Sequence, residues 1–138
     1  MSLFGRNVFL VGENFHAASA LTNKLYLLKF QCHFADTMRA ASELLSSQPV
    51  DLVLSNMYLP DGTGVGLLPA LARLRVNAFL SLPVENSCLW LPALNGGKLC
   101  LGAPVLSPLE FRRALEELAR CLPVTPCVNE PVPKARVT

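Results

Sequence analysis

The hydrophobic positions of this chain form two alternating patterns. One pattern is a short run that is apolar almost throughout and rich in β-branched and aromatic residues, which is typical of a strand buried on both faces of a sheet. The first such run ends at Gly12. Four more follow it, and the predicted strands cover 7–11, 31–35, 51–55, 78–82 and 98–102.

The other pattern places apolar residues at helical spacing between these runs. It predicts helices over 15–28, 37–47 and 65–74. Strands that alternate with amphipathic helices indicate a parallel sheet, and right-handed crossovers cover both of its faces with helices. The predicted fold class is therefore α/β, with a doubly wound, five-stranded parallel sheet.

The last predicted helix has the clearest beginning. Ser107 can cap it, Pro108 suits its first position, and Glu110 completes a capping box. We expect one domain over 1–122 that ends with this helix. The remaining segment, 123–138, contains four prolines and no apolar period, so a flexible tail is predicted there.

Composition supports a single buried core. Hydrophobic residues make up 51% of the 138 residues and charged residues only 16%, against about 25% charged in an average domain. The net charge is +2 and the basic residues are scattered, so no nucleic-acid-binding face is indicated. The apolar runs are too short for a membrane span, and the first residues lack a signal-peptide pattern. We expect a cytoplasmic protein.

The reactive side chains do not suggest an enzyme. The five cysteines form no C-x-x-C pair and have no metal-ligand spacing. A nucleophilic cysteine needs a base, and only His16 and His33 could supply one. The carboxylates Glu13 and Asp61 would make a general acid–base pair, but Asp61 precedes Gly62 in a common turn-forming dipeptide. No set of nucleophile, base and orienting group can be assembled.

Ligands of open parallel sheets bind at the carboxyl ends of the strands. The stretch VDLVLSNMYLPDGTGVGLL at 50–68 combines a buried strand, a polar residue at its end and a loop with Pro60, Gly62 and Gly64. In this combination the chain resembles the receiver domain of two-component response regulators, and the resemblance covers about 7–122. It implies the flavodoxin-like (βα)5 receiver fold and a role in phosphorelay signal transduction.

The same resemblance assigns a phospho-acceptor pocket in which most functional side chains are replaced. The family has an acidic pair after the first strand, an acceptor aspartate after the third, a hydroxyl after the fourth and a Lys-Pro pair after the fifth. An aromatic switch residue precedes that lysine, and Cys100 takes its position here. The corresponding pocket residues of this chain are Gly12, Glu13, Asn56, Ser81, Ala103 and Pro104.

These replacements predict that the pocket is degenerate. An amide at position 56 offers no carboxylate to attack phosphorus, and Ala103 cannot neutralise a phosphate. Mg²⁺ normally takes several carboxylate and phosphate oxygens, so Glu13 alone should hold it weakly or not at all. We therefore expect no cofactor.

The segment 84–97 departs from the family in another way. It takes the place of the family's fourth helix, yet Pro92 lies in its middle, so a short or kinked helix is predicted. Its apolar residues indicate either local repacking of the core or an exposed partner surface. The resemblance implies that the face of helix 4, strand 5 and helix 5 contacts a protein partner or a second copy. The predicted surface residues are Trp90, Leu91, Cys100, Arg112, Arg113, Glu116, Glu117 and Arg120.

The sequence thus predicts a phosphorylation-independent receiver domain, a pseudo-receiver, that acts in signalling by protein–protein interaction. The alternative is a flavodoxin-like module that binds a small ligand or nucleotide at the same strand ends. The run GTGVG at 62–66 matches no Walker or dinucleotide pattern, which disfavours a nucleotide.

Overall fold

A computed structural model describes residues 4–17, 19–85, 87–100, 102–121 and 125–126. The strands are β1 (Phe4–Val11), β2 (Phe30–Ala35), β3 (Leu52–Asn56), β4 (Tyr58–Leu59), β5 (Gly62–Thr63), β6 (Asn77–Val84), β7 (Ser87–Asn95), β8 (Lys98–Leu99) and β9 (Thr125–Pro126). The α-helices are α1 (Ser19–Leu27), α2 (Met38–Ser47), α3 (Leu68–Leu74) and α4 (Pro108–Cys121), and 3-10 turns cover Glu13–Ala17 and Gly64–Leu67.

Four strands of the main sheet are parallel and lie in the order β2-β1-β3-β6. Apolar side chains of β1 and β3 are buried towards both faces. One core cluster packs them against Leu25 of α1 and Leu115 of α4, and the other packs them against Ala41 of α2 and Leu71 of α3. This doubly wound arrangement has the strand order of flavodoxin-like folds. The predicted α/β class is confirmed.

The last unit of the sheet differs from the prediction. β7 runs antiparallel to β6 as the second strand of a hairpin, so the predicted helix over 84–97 is wrong and the sheet is not parallel throughout. Glu85 adopts a φ of 51° between the two strands, and Gly96 and Gly97 turn the chain into β8 with φ values of 63° and 88°. Apolar side chains lie on both faces of β7. This pattern suits a buried strand better than a helix with one solvent-exposed side.

Pro92 is accommodated within β7 because the ladder is irregular beside it. It pairs with Phe79 where the register shifts between Ala78 and Phe79, and such a bulge is one of the few sheet positions that proline tolerates. The proline therefore marks a bulged strand and not a kinked helix.

The predicted fifth strand lies outside β7 and not beside β6. Of its described residues, only the two of β8 are in register with β7, and they pair antiparallel. The chain then follows β7, where Leu106 and Trp90 exchange two backbone hydrogen bonds of 2.8 Å. The predicted capping box at the start of α4 is confirmed: the Ser107 N–H donates to Glu110 Oε1 at 2.9 Å, and the Glu110 N–H donates to Ser107 Oγ at 3.2 Å.

A buried arginine joins two helices to the sheet. Arg6 of β1 is 7% exposed, and its guanidinium donates to the carbonyl oxygens of Leu28 and Ala119 at 2.5 and 2.8 Å. These carbonyls lie near the carboxyl ends of α1 and α4, where unpaired acceptors and the negative end of the helix dipole favour a cation.

Little of the predicted tail falls within the described residues. Thr125–Pro126 pairs with Phe4 and Gly5 of β1, and the other positions of 123–138 lie outside them. No helix in the described part of the chain is both long and apolar enough to cross a bilayer.

Candidate functional site

Three of the predicted pocket residues meet at the carboxyl edge of the parallel strands. Asn56 ends β3 and is in register with Ser81 of β6. Gly12 follows β1 and lies close to the side chain of Asn56. A Cβ added to Gly12 would lie 2.3 Å from Asn56 Nδ2. Its φ of 144° is a value that favours glycine. The predicted convergence of the first, third and fourth strand ends is thus observed.

The Asn56 side chain bonds to another amide. Its Nδ2 donates to Oδ1 of Asn14, which lies in the 3-10 turn after β1. A neutral amide pair therefore stands at the end of β3, at the position for which the sequence resemblance predicted a degenerate acceptor. The sequence assigned Gly12 and Glu13 to the pocket and considered Asn14 only as one of the residues after the first strand, although it stands three positions beyond the end of β1.

The donor set at this edge does not fit a magnesium ion. Asn56 offers an amide, Gly12 offers no side chain, and the carboxylate of Glu13 lies exposed in the adjacent turn. Within the described ranges, no group of three His, Cys, Asp or Glu residues is arranged to hold a metal. Hard divalent cations need several oxygen ligands, most of them anionic. Weak or absent Mg²⁺ binding remains a prediction.

Ala103 and Pro104 are not brought to this edge. Both are exposed, and they follow β8 on the far side of β7. Trp90 of β7 lies in register with Ser81 on one side and with Leu106 on the other. The inserted strand thus separates the predicted Lys-Pro position from Asn56.

A cavity of about 530 Å³ opens beside Asn56. Phe15, Trp90 and Phe111 provide aromatic walls, while Asn14, Asn56 and Ser81 contribute polar groups from the strand ends. The remaining lining residues are Ala20, Leu21, Tyr58, Pro83, Ser87, Cys88, Pro108 and Arg112. The sequence assigned neither Phe15 nor Phe111 to a site, because the cavity depends on a contact between β7 and α4 that the sequence pattern does not reveal.

Trp90 does not belong to an exposed surface, and that prediction is wrong. The residue is 4% exposed, and its indole stacks on Phe111 with the ring centroids 3.9 Å apart. Leu91 is half-buried and packs in the opposite core cluster, since neighbouring residues of a strand point to opposite faces. Cys100 is half-buried beyond β7. For Trp90, the repacking interpretation is the correct one.

The charged residues of α4 divide into two groups. Arg112, Arg113, Glu117 and Arg120 are exposed. Glu116 instead forms an ion pair with Lys24 of α1. The hydrogen bond from the Lys24 ammonium holds the pKa of Glu116 below its ordinary value. Glu116 therefore helps to join two neighbouring helices and is not free for a partner.

Asp61 stabilises the start of a helix. Its carboxylate accepts hydrogen bonds from the N–H groups of Met38 and Arg39, at 2.8 and 3.1 Å. The hydrogen bond from the N–H of Met38 is the main reason why the pKa of Asp61 is lowered. Thr37 caps the same helix by accepting from the N–H of Ala40 at 3.0 Å. The loop after β3 is thereby fastened to α2.

Comparisons with known proteins give partial structural matches. No protein-family model matches the chain, and no curated protein matches it. The signal receiver domain of an HD domain-containing protein from Pseudomonas fluorescens Pf-5 is 29% identical over 55% of this chain and 62% of that chain, with a TM-score of 0.49. The non-phosphorylated HemR receiver domain from Leptospira biflexa is 26% identical over 49% of this chain and 55% of that one, with a TM-score of 0.43.

The matched part is thus less than two thirds of either domain. Both of these proteins are receiver domains. The strand order β2-β1-β3-β6 is a separate observation made on this chain itself.

Proposed function

We propose that this chain is a receiver-like domain that signals without phosphorylation, by contact with a protein partner. The observation that carries the proposal is the amide pair of Asn56 and Asn14 at the end of β3. An amide nitrogen that already donates a hydrogen bond, and an amide oxygen without negative charge, do not attack a phosphoryl group. An acyl phosphate therefore has no site of formation at position 56.

The surroundings of Asn56 support the same proposal. Gly12 leaves no room for a second acidic side chain, because a Cβ there meets Asn56 Nδ2. β7 lies between β6 and the segment that contains Ala103. Restoring the acceptor alone would therefore supply neither the metal ligands nor the cation that a phosphorylated pocket needs.

The exposed side of α4 is the surface that we propose for the partner. Arg113, Glu117 and Arg120 lie exposed along it and carry charges of both signs. Exposed charges of this kind steer association and set its register more than they contribute to affinity. In this proposal the partner binds one fixed conformation, since no phosphorylation shifts the domain between two.

Intact-mass spectrometry after incubation with acetyl phosphate and Mg²⁺ tests the phosphorylation part. We expect no added phosphate on the wild type or on Asn56→Asp, while a phosphorylatable receiver domain in the same tube gains one. A phosphate on the wild type that maps to 52–63 would overturn the proposal. The partner part is tested by immobilising the wild type and the charge-reversal variant Arg113→Glu/Arg120→Glu. A partner retained equally by both would contradict the assignment of α4.

A further inference from the structure

We propose that the cavity beside Asn56 binds a small organic anion with a flat apolar body and a single carboxylate. This inference does not depend on the loss of phosphorylation. The cavity of about 530 Å³ lies within the range of roughly 300–1,000 Å³ that is typical of small-ligand pockets. It also lies at the carboxyl edge of the parallel strands, where open α/β sheets bind ligands.

The walls of the cavity suit an apolar body that is flat. Phe15, Trp90 and Phe111 line it. Trp90 and Phe111 are stacked with their planes 7° apart, and Phe15 lies 6.2 Å from the indole, centroid to centroid. Because these rings fix one another, the walls are formed before a ligand arrives.

Ser81, which is paired with Asn56 in the sheet, presents a hydroxyl to the cavity. Ser81 lines the cavity and is 5% exposed. Its backbone carbonyl accepts from the N–H of Met57 at 2.8 Å, but no hydrogen bond of its hydroxyl to another described residue is found. No buried polar side-chain atom among the described residues lacks a partner, so this hydroxyl is open to the cavity. A ligand oxygen there would replace the water to which the hydroxyl otherwise bonds.

The charged groups around the cavity favour a ligand with a negative charge. Among the described residues that line it, Arg112 alone is charged, and it forms no ion pair within the described part of the chain. Pro108, at the first position of α4, lines the same side, so the positive end of the helix dipole also faces this region. A guanidinium binds a carboxylate through two parallel hydrogen bonds. An anion is therefore favoured, and a cation is repelled.

The ligand class is tested with three probes of nearly equal size: phenylbutyrate, its neutral amide and phenylbutylamine. Trp90 is the single tryptophan of the chain and lines the cavity, so its fluorescence reports on this site. We expect saturable quenching by phenylbutyrate, roughly tenfold weaker binding of the amide, and no binding of the amine. Equal affinity for all three, or no saturable change with phenylbutyrate, would overturn the proposal.

Two neighbouring arginines supply a matched pair of variants. Arg112→Gln should weaken phenylbutyrate roughly tenfold and leave the amide unchanged. Arg113→Gln removes the same charge one position further along α4, from a residue that does not line the cavity, and should leave both affinities unchanged. An equal loss in both variants would mean that overall charge attracts the probe, which contradicts the site.

Two further variants test the remainder of the cavity. Ala20 is an exposed residue on its lining, so Ala20→Phe should fill the space and abolish binding of the acid and the amide alike. Ser81→Ala should weaken phenylbutyrate several-fold by removing its hydroxyl. Unchanged binding in Ala20→Phe, with circular dichroism matching that of the wild type, would place the probe elsewhere and overturn the proposal.

Discussion

The indole of Trp90 lies face to face with the ring of Phe111, with centroids 3.9 Å apart and planes at 7°. This contact fastens the hairpin strand β7 to α4. The backbone of Trp90 also bonds to Leu106, directly before that helix, and is in register with Ser81 of β6. One residue thus determines how the segment after the parallel strands packs on the sheet.

Replacing Trp90 should strongly destabilise the fold. Trp90→Ala removes a side chain that is 4% exposed, and truncating a buried aromatic residue costs about 3–5 kcal/mol. Urea denaturation followed by circular dichroism measures the free energy of unfolding. Tyr58→Ala, at an exposed residue of the same cavity, is the control and should cost less than about 1 kcal/mol. A similar loss in both variants would contradict the role of the stack.

The buried guanidinium of Arg6 should be needed for stability. Arg6→Met keeps the length of the side chain but leaves the carbonyls of Leu28 and Ala119 without their donor, so we expect a loss of about 2–4 kcal/mol in urea denaturation. Arg39→Met serves as the control, because Arg39 is exposed and lies 3.9 Å from Glu43. It should cost less than about 0.5 kcal/mol. A tolerated Arg6→Met would show that these carbonyls find other donors.

Gly12 should be sensitive to substitution for two separable reasons. Gly12→Ala places a Cβ 2.3 Å from Asn56 Nδ2 at a φ of 144°, and we expect a loss of about 1–3 kcal/mol. In the Asn56→Ala background the loss should shrink but not vanish, because the backbone strain remains. A double-mutant cycle in urea measures this coupling.

Gly102→Ala is the matched control for that cycle. Gly102 has a φ of 83° and no atom within 4 Å of an added Cβ. Its substitution should cost the backbone strain alone and should be indifferent to Asn56→Ala. Coupling of the same size at both glycines would indicate an effect of Asn56 on the whole fold and not a local contact.

The contribution of Asp61 should depend on pH. In the folded state, the hydrogen bond from the N–H of Met38 lowers the pKa of Asp61 from its ordinary value of 3.8. The folded protein therefore favours the ionised carboxylate over the protonated acid. The stabilisation is therefore complete above the unfolded pKa and is lost as the pH falls through the lower, folded one. The melting-temperature difference between wild type and Asp61→Asn should be largest near neutral pH and should shrink below 3.8. A difference that is constant with pH would contradict this assignment.

Sequence patterns predicted the parallel half of the fold because each of its elements has a local cause. The apolar runs at β1 and β3 are buried on both faces, and the Ser107 and Glu110 side chains start α4 as expected. β7 was missed because the resemblance supplied a helix there and Pro92 was read as its kink. A local signal existed: Asn95, Gly96 and Gly97 form a turn sequence that is typical of hairpins.

The candidate site was predictable only where strand ends define it. Gly12 follows β1, Asn56 ends β3 and Ser81 lies beside Asn56 in β6, so all three lie at the edge where the parallel strands carry their carboxyl ends. Ala103 was assigned by its offset along the chain, which assumes that the fifth strand lies beside the fourth. The cavity walls depend on distant contacts such as Trp90 with Phe111, and hydrophobic periodicity alone does not report which buried rings meet.

The hairpin of β6 and β7 alters how the sheet can grow during folding. Two parallel strands can pair only after the helical crossover that connects them has closed. Closing this long connection costs conformational entropy before any contact between the strands forms. β7 begins three residues after β6 ends, and β8 follows after a two-residue turn. Hairpins form in about 1–10 μs. This end of the sheet can therefore pair from its own neighbouring residues, ahead of the slower closure of the strands around β1.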